Sequence, residues 1–194
     1  MAKTVDYYFT TVSPWSYLGH ETFARRVAKH GAAVRVKPVD YGRIFPVSGG
    51  LPLKQRAPQR QAYRLVELKR WGEQLAAPIN IQPKHFPVNA TPASCLILGA
   101  PEPVRFALAG ALLAAVWAEQ ADIADPGMLE RIGAQHGIAD AAAAIKTGEP
   151  VYAAMTQEAL ERGVFGAPTY VIRNELFWGQ DRLEFLDRAL ARDR

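Results

Sequence analysis

The chain has little that could carry redox or metal chemistry. Among its 194 residues there is a single cysteine, Cys95, which excludes an internal disulfide, a C-x-x-C redox pair and a thiolate zinc site. Cys95 lies in the apolar stretch Ala93-Ser94-Cys95-Leu96-Ile97-Leu98 and reads as an inert core residue. The four histidines, His20, His30, His85 and His136, show no H-E-x-x-H or comparable spacing, so no metal site is expected. Long hydrophobic runs are also missing. The longest, Phe106 to Ala118, reaches about 13 residues where roughly 20 are needed to cross a bilayer, so it reads as a buried helix and no membrane span is expected. The apolar start, Val5 to Phe9, is too short for a secretory leader and contains Asp6, which points to a cytoplasmic address.

What is present suits a folded enzyme-sized body, with 49% apolar residues and a net charge of +4. Positive charge alone does not choose between nucleic acid, a membrane surface and small acidic molecules. Arg56, Arg60 and Arg64 recur at a helical spacing, either as a solvated face or as attraction for a multiply carboxylated small molecule. No aromatic-interleaved basic motif accompanies them, and nucleic acid is not expected.

Val5-Asp6-Tyr7-Tyr8-Phe9 is rich in β-formers, and Ser13-Pro14 then opens a helical stretch that Gly31 is placed to end. Val34 to Val39 alternates like a second, parallel strand, completing a βαβ unit. Residues from Tyr41 to about Pro58 turn to Gly, Pro and Ser and read as a flexible loop. Helical patterns follow over Gln59 to Ala76, Ala93 to Leu98, Pro103 to Gln120, Asp125 to His136 with Asp125 as N-cap, and Ala139 to Lys146. Strand character returns in Thr169 to Arg173 and Leu176 to Trp178, with Asn174-Glu175 as the hairpin turn, before a terminal helix from Asp181 to Ala191. The expected organisation is βαβ, a helical insertion, then ββα.

Ser13 stands where a strand meets a helix N-terminus, a place whose free N–H groups and dipole favour an anion. It either caps the helix or donates a hydrogen bond to a bound thiolate. Val164-Phe165-Gly166-Ala167-Pro168-Thr169 precedes a strand in a form that suits a cis-proline loop.

This order of elements resembles the thioredoxin-fold disulfide oxidoreductases. Within them the chain is similar to the 2-hydroxychromene-2-carboxylate isomerase family and the related kappa-class glutathione transferases. The resemblance rests on Ser13-Pro14-Trp15-Ser16-Tyr17-Leu18, Tyr63 with Arg70-Trp71, Phe86-Pro87-Val88-Asn89, Val164 to Thr169, and Phe177-Trp178-Gly179-Gln180-Asp181-Arg182. It implies an α/β thioredoxin-like domain, residues 1–41 and 150–194, carrying a large all-helical insertion, residues 42–149. It also implies a glutathione-dependent isomerase of an aromatic carboxylate, working as a homodimer. Glutathione would meet Ser13 through its sulfur, Arg60 through its glycyl carboxylate, the Ala167 backbone beside a cis Pro168 through its middle, and Gln180 and Asp181 at its γ-glutamyl end. Asp181 as a plain N-cap and Asn89 as a turn former stand beside their roles as glutathione and substrate contacts. Leu51 falls near a position where such relatives use asparagine, and it cannot supply those hydrogen bonds. A kappa-like transferase and a noncatalytic thioredoxin-fold binding module are the rival readings.

Overall fold

The computed structural model describes residues 3–192. Strand β1 (Thr4–Phe9), helix α1 (Pro14–Lys29) and strand β2 (Ala33–Pro38) form the expected βαβ unit, and β1 pairs parallel to β2 with Tyr7 opposite Val36. Ser13 caps α1, with its Oγ accepting from Ser16 N at 3.1 Å, Pro14 occupies the first turn, and Gly31 follows the helix at φ +60°. The hairpin of β3 (Thr169–Ile172) and β4 (Glu175–Trp178) completes a sheet of order β2-β1-β3-β4, in which β3 runs antiparallel to both neighbours.

Alternation along β1 divides its side chains between two environments. Val5, Tyr7 and Phe9 enter the main apolar core, where the Tyr7 ring stacks at 4.5 Å on Phe9 and 5.4 Å on Tyr170 and meets Phe23 of α1 at 5.0 Å. Asp6 and Tyr8 point the other way, into a charge network in which buried Asp6 and Lys37 meet the partly exposed Glu158 and Arg162 and the exposed Arg35. Burial alone would raise the Asp6 pKa, but hydrogen bonds from Arg35 and Arg162 hold it below the usual carboxylate range.

Between β2 and β3 the described residues contain helices and no strand. The stretch expected as a loop contains α2 (Tyr41–Ser48) and a short 3-10 turn (Leu53–Gln55). Asp40 caps α2 through Gly42 N at 2.7 Å, Gly49 ends it in the left-handed region, and buried Tyr41 and Ile44 hold it down despite Pro46. Then come α3 (Pro58–Leu75), α4 (Thr91–Gly99), α5 (Glu102–Trp117) and α6 (Pro126–Gln135), the last capped by Asp125 as expected. Helix α7 (Ala141–Glu161) runs far beyond Lys146 and passes through residues 149 and 150 without a break.

Gly148, within that continuation, is a packing residue. A Cβ there would run into the Cys95 carbonyl oxygen, and one at Gly99 would run into Ala144 O. Glycine at both positions lets α4 and α7 pack backbone against backbone, so a residue that weakens an isolated helix secures this helix pair.

Two other boundaries differ from expectation. The hairpin turn is Arg173-Asn174, with Arg173 at φ +57°, and Glu175 already belongs to β4. The terminal helix α8 (Leu183–Ala191) begins after a 3-10 turn (Gln180–Arg182), so Asp181 does not cap it and makes no capping hydrogen bond.

Candidate active site

Helix α3, the start of α1, the loop before β3 and the 3-10 turn before α8 enclose a cleft of about 570 Å³, a size ordinary for small-molecule sites. Trp15 comes from α1, Ala167 from the loop, and Trp178, Gly179, Gln180, Asp181 and Arg182 from the hairpin end and 3-10 turn. Arg60, Tyr63, Arg64, Glu67 and Trp71 recur at intervals of three or four on α3, with Arg56 just ahead of that helix. Close packing brings the pieces together. A Cβ at Gly19 of α1 would approach Gln180 Cβ to 2.7 Å, so glycine lets the 3-10 turn lie directly on α1.

Four expected site residues, Arg60, Ala167, Gln180 and Asp181, therefore line one cleft. Ser13 does not itself line the cleft; it is buried at the N-terminus of α1, two residues before Trp15, which does. Its oxygen accepts from Ser16 N, and its hydroxyl proton finds no acceptor among the described residues. Pro168, buried behind Ala167, does not line the cleft either, and the Ala167-Pro168 bond is cis. The cis Phe86-Pro87 bond was not anticipated. Asn89 is exposed and does not line the cleft. Its Oδ1 accepts from Thr91 N at 3.1 Å, the turn-forming alternative, while Ala90 next to it accepts from Thr11 Oγ1 at 3.4 Å. Leu51 also lies outside the cleft, and its carbonyl accepts from Arg56 Nε at 2.8 Å.

The charge arrangement favours anions. Glu67 and Asp181, the carboxylates of the cleft, are engaged by Arg70 and Arg182, at 2.8 and 2.7 Å. Arg56, Arg60 and Arg64 have no carboxylate partner among the described residues. Partial burial and the neighbouring Arg60 charge lower the Arg56 pKa, and burial with the Arg56 charge lowers that of Arg64 to about 10.

The backbone N–H and C=O of Ala167 make no hydrogen bond among the described residues, whereas Gly166 O accepts from both Tyr41 and Thr169 and Pro168 O accepts from Gly179 N. An extended peptide could pair with such a residue as an added strand. Cys95 is buried away from this region and its thiol is raised to about 11 by burial, with a smaller contribution from Glu149, so it is no nucleophile at neutral pH.

Beyond those four, no lining residue was expected from the sequence as a ligand contact: Trp15, Tyr63, Trp71, Trp178, Gly179 and Arg182 stood out only as motif residues, Arg56 and Arg64 only as a charged helix face, and Gln59 and Glu67 not at all. The signal that could have found those on α3 is the helical spacing of Gln59, Tyr63, Glu67 and of Arg60, Arg64, Trp71, which puts polar, charged and aromatic groups along one stripe of the helix.

Residues 4–191 match the family described as the DSBA-like thioredoxin domain. The chain is 27% identical over 195 residues to a 2-hydroxychromene-2-carboxylate isomerase of Sphingobium xenophagum, covering 98% of this chain and 99% of that one. It is 28% identical over 193 residues to a protein of the same name from Pseudomonas putida, covering 97% and 94%. A solved structure of selenomethionyl 2-hydroxychromene-2-carboxylate isomerase superimposes with a TM-score of 0.85 at 26% identity, covering 97% of this chain and 95% of that chain. With nearly the whole chain matched and the strand order of the fold in place, this protein belongs to the DSBA-like thioredoxin domain family.

Proposed function

We propose that this protein is a glutathione-dependent isomerase acting on an aromatic carboxylate of the 2-hydroxychromene-2-carboxylate kind. The observation that carries the reading is the cleft itself, where arginines without carboxylate partners and the rings of Trp15, Tyr63, Trp71 and Trp178 meet the unpaired backbone of Ala167. Such a lining suits a peptide with charged ends together with a flat organic acid. The names of the relatives support the same reaction class.

In this reading Arg60 holds the glycyl carboxylate, the Ala167 backbone pairs with the cysteinyl unit, and Gln180 and Asp181 meet the γ-glutamyl end. Asp181 then shares its carboxylate between the tripeptide ammonium and Arg182. Ser13, with its proton uncommitted, donates to the sulfur and lowers the thiol pKa together with the N–H groups of the α1 start. Bound glutathione would supply a thiolate that adds reversibly to the ring-opened substrate, allows rotation about the former double bond, and is released unchanged. The protein contributes position and electrostatics, and no covalent bond forms to Ser13.

The test is ultraviolet-monitored interconversion of a hydroxychromene carboxylate, with S-methylglutathione as a control that can occupy the site but cannot supply a thiolate. Turnover should require glutathione and consume none. Full activity without any thiol overturns the mechanism. Loss of glutathione into a stable adduct indicates a transferase, and binding without turnover across an aromatic panel indicates a noncatalytic module.

A further inference from the structure

Arg64 differs from the other arginines of the cleft in how it is held. Its guanidinium carbon lies 5.5 Å from the Phe86 ring centre and 5.6 Å from that of Trp117, and those two rings are themselves 4.9 Å apart. Trp117 is fully buried, so Arg64 is seated on a fixed aromatic floor. A guanidinium is flat and weakly hydrated, and it keeps its hydrogen-bonding edge available when its face is stacked.

That edge is unused. No described residue accepts a hydrogen bond from Arg64, although the side chain is half-buried and lines the cleft. Glu67, three residues on, could have been its partner on the helix surface, but it bonds to Arg70 instead. A partly desolvated cation with open donors and like charges beside it is costly until an anion arrives. Arg56 is less free to supply the second contact of an anion fork, because its Nε is tied to Leu51 O.

We propose that Arg64, seated on Phe86 and Trp117, is the carboxylate anchor for the aromatic substrate, leaving Arg60 for the peptide carboxylate. The inference rests on the isomerase reading for the identity of the ligand. It adds the residue that selects a planar aromatic acid over its uncharged analogues. The bidentate fork of Arg64 holds the carboxylate, and the ring lies among the aromatic side chains of the cleft.

The test uses tryptophan fluorescence, since Trp15, Trp71 and Trp178 line the cleft. Benzylidenepyruvate and its methyl ester are titrated into the native protein, Arg64→Gln and Arg64→Lys, with glutathione titrated separately. The native protein should prefer the acid. Arg64→Gln should weaken acid binding by about 10- to 100-fold and bring it level with the ester, as expected for a lost charged fork. Glutathione affinity should change by less than about threefold, and Arg64→Lys should restore part of the preference as a point charge without a fork. Circular dichroism and thermal melting establish that each variant is folded.

Retention of the acid preference in folded Arg64→Gln overturns the anchor. A fall in glutathione affinity with acid binding unchanged overturns it too, by assigning Arg64 to the peptide. The binding measurement needs no turnover. A native protein that discriminates through Arg64 yet never isomerises leaves the anchor standing and removes the isomerase, whereas normal isomerisation with unaltered Arg64→Gln discrimination removes only the anchor.

Discussion

Ser13→Ala separates two roles that one hydroxyl can hold at once. Its oxygen accepts from Ser16 N at 3.1 Å, so removing it uncaps α1. Loss of a serine cap costs about 1 kcal/mol, which in a chain of this size lowers the melting temperature by about 2–4 °C. On the proposed mechanism the catalytic part is larger. Losing one charge-assisted donor to a thiolate costs about 1.4–4 kcal/mol, or roughly 10- to 1000-fold in turnover per folded molecule. The same loss should move the pKa of the bound thiol upward by about one unit or more, since one unit corresponds to about 1.4 kcal/mol. Thiolate absorbance of the glutathione complex across pH reads that shift directly, and the rate profile should move with it. Ser13→Asn keeps a capping oxygen, so its stability should lie near the native value. If Ser13→Ala melts a few degrees lower but turns over glutathione-dependent substrate at the native rate with an unmoved profile, Ser13 is a cap and nothing more.

Three further outcomes are expected. Asp181→Asn should weaken glutathione binding by about three- to tenfold in calorimetry, as expected for a partly exposed ion pair, with little change in melting because Asp181 caps no helix; equal affinity removes it from the site. Gly148→Ala should lower stability in urea by about 2 kcal/mol despite the better helix propensity of alanine, because the new methyl meets the Cys95 carbonyl, and a stabilised variant would contradict the α4–α7 packing. His20 is buried, stacks at 4.3 Å on Phe106, and has its pKa lowered by burial to about 4. With its unfolded pKa near 6.5, its neutral form contributes stability above that value, and as pH falls from 6.5 toward 4 up to about 3 kcal/mol is lost. His20→Asn should flatten that part of the stability–pH curve, and an unchanged slope would show that His20 is not responsible.

The frame of the fold could be read from the chain because its local signals agree with tertiary structure. Ser13-Pro14 and Gly31 bracket α1, Asp125-Pro126 opens α6, and the β3–β4 hairpin misses by one residue at its turn. The failures lie where packing overrides composition. Pro46 and the neighbouring glycines concealed α2, which burial of Tyr41 and Ile44 holds in place, and the helical pattern traced only to Lys146 continues in α7 through Gly148, its contact with α4, and Pro150. The cleft was partly legible. Ala167, Gln180 and Asp181 were found through motifs and Arg60 through its helical spacing and the resemblance; the engagement of Asn89 with Thr91 N and the pairing of Asp181 with Arg182 are local contacts set by loop geometry, and the floor beneath Arg64 depends on distant residues that meet only in three dimensions.

The unbroken course of α7 bears on how this fold can be recombined. Its first half lies against α4, and its second half carries Glu158, with Arg162 just past its end, to the charges of β1 and β2. A chimera joined between residues 149 and 150 would unite two halves of a helix taken from different parents, each selected against a different neighbour. A graft that exchanges the whole of α7, with its downstream junction at Gly163, which ends the helix in the left-handed region, would transfer the helices between β2 and β3 together with their mounting. Substrate range in such hybrids should follow the parent that supplies α3, and folding yield should follow the match between α7 and the sheet it lies on.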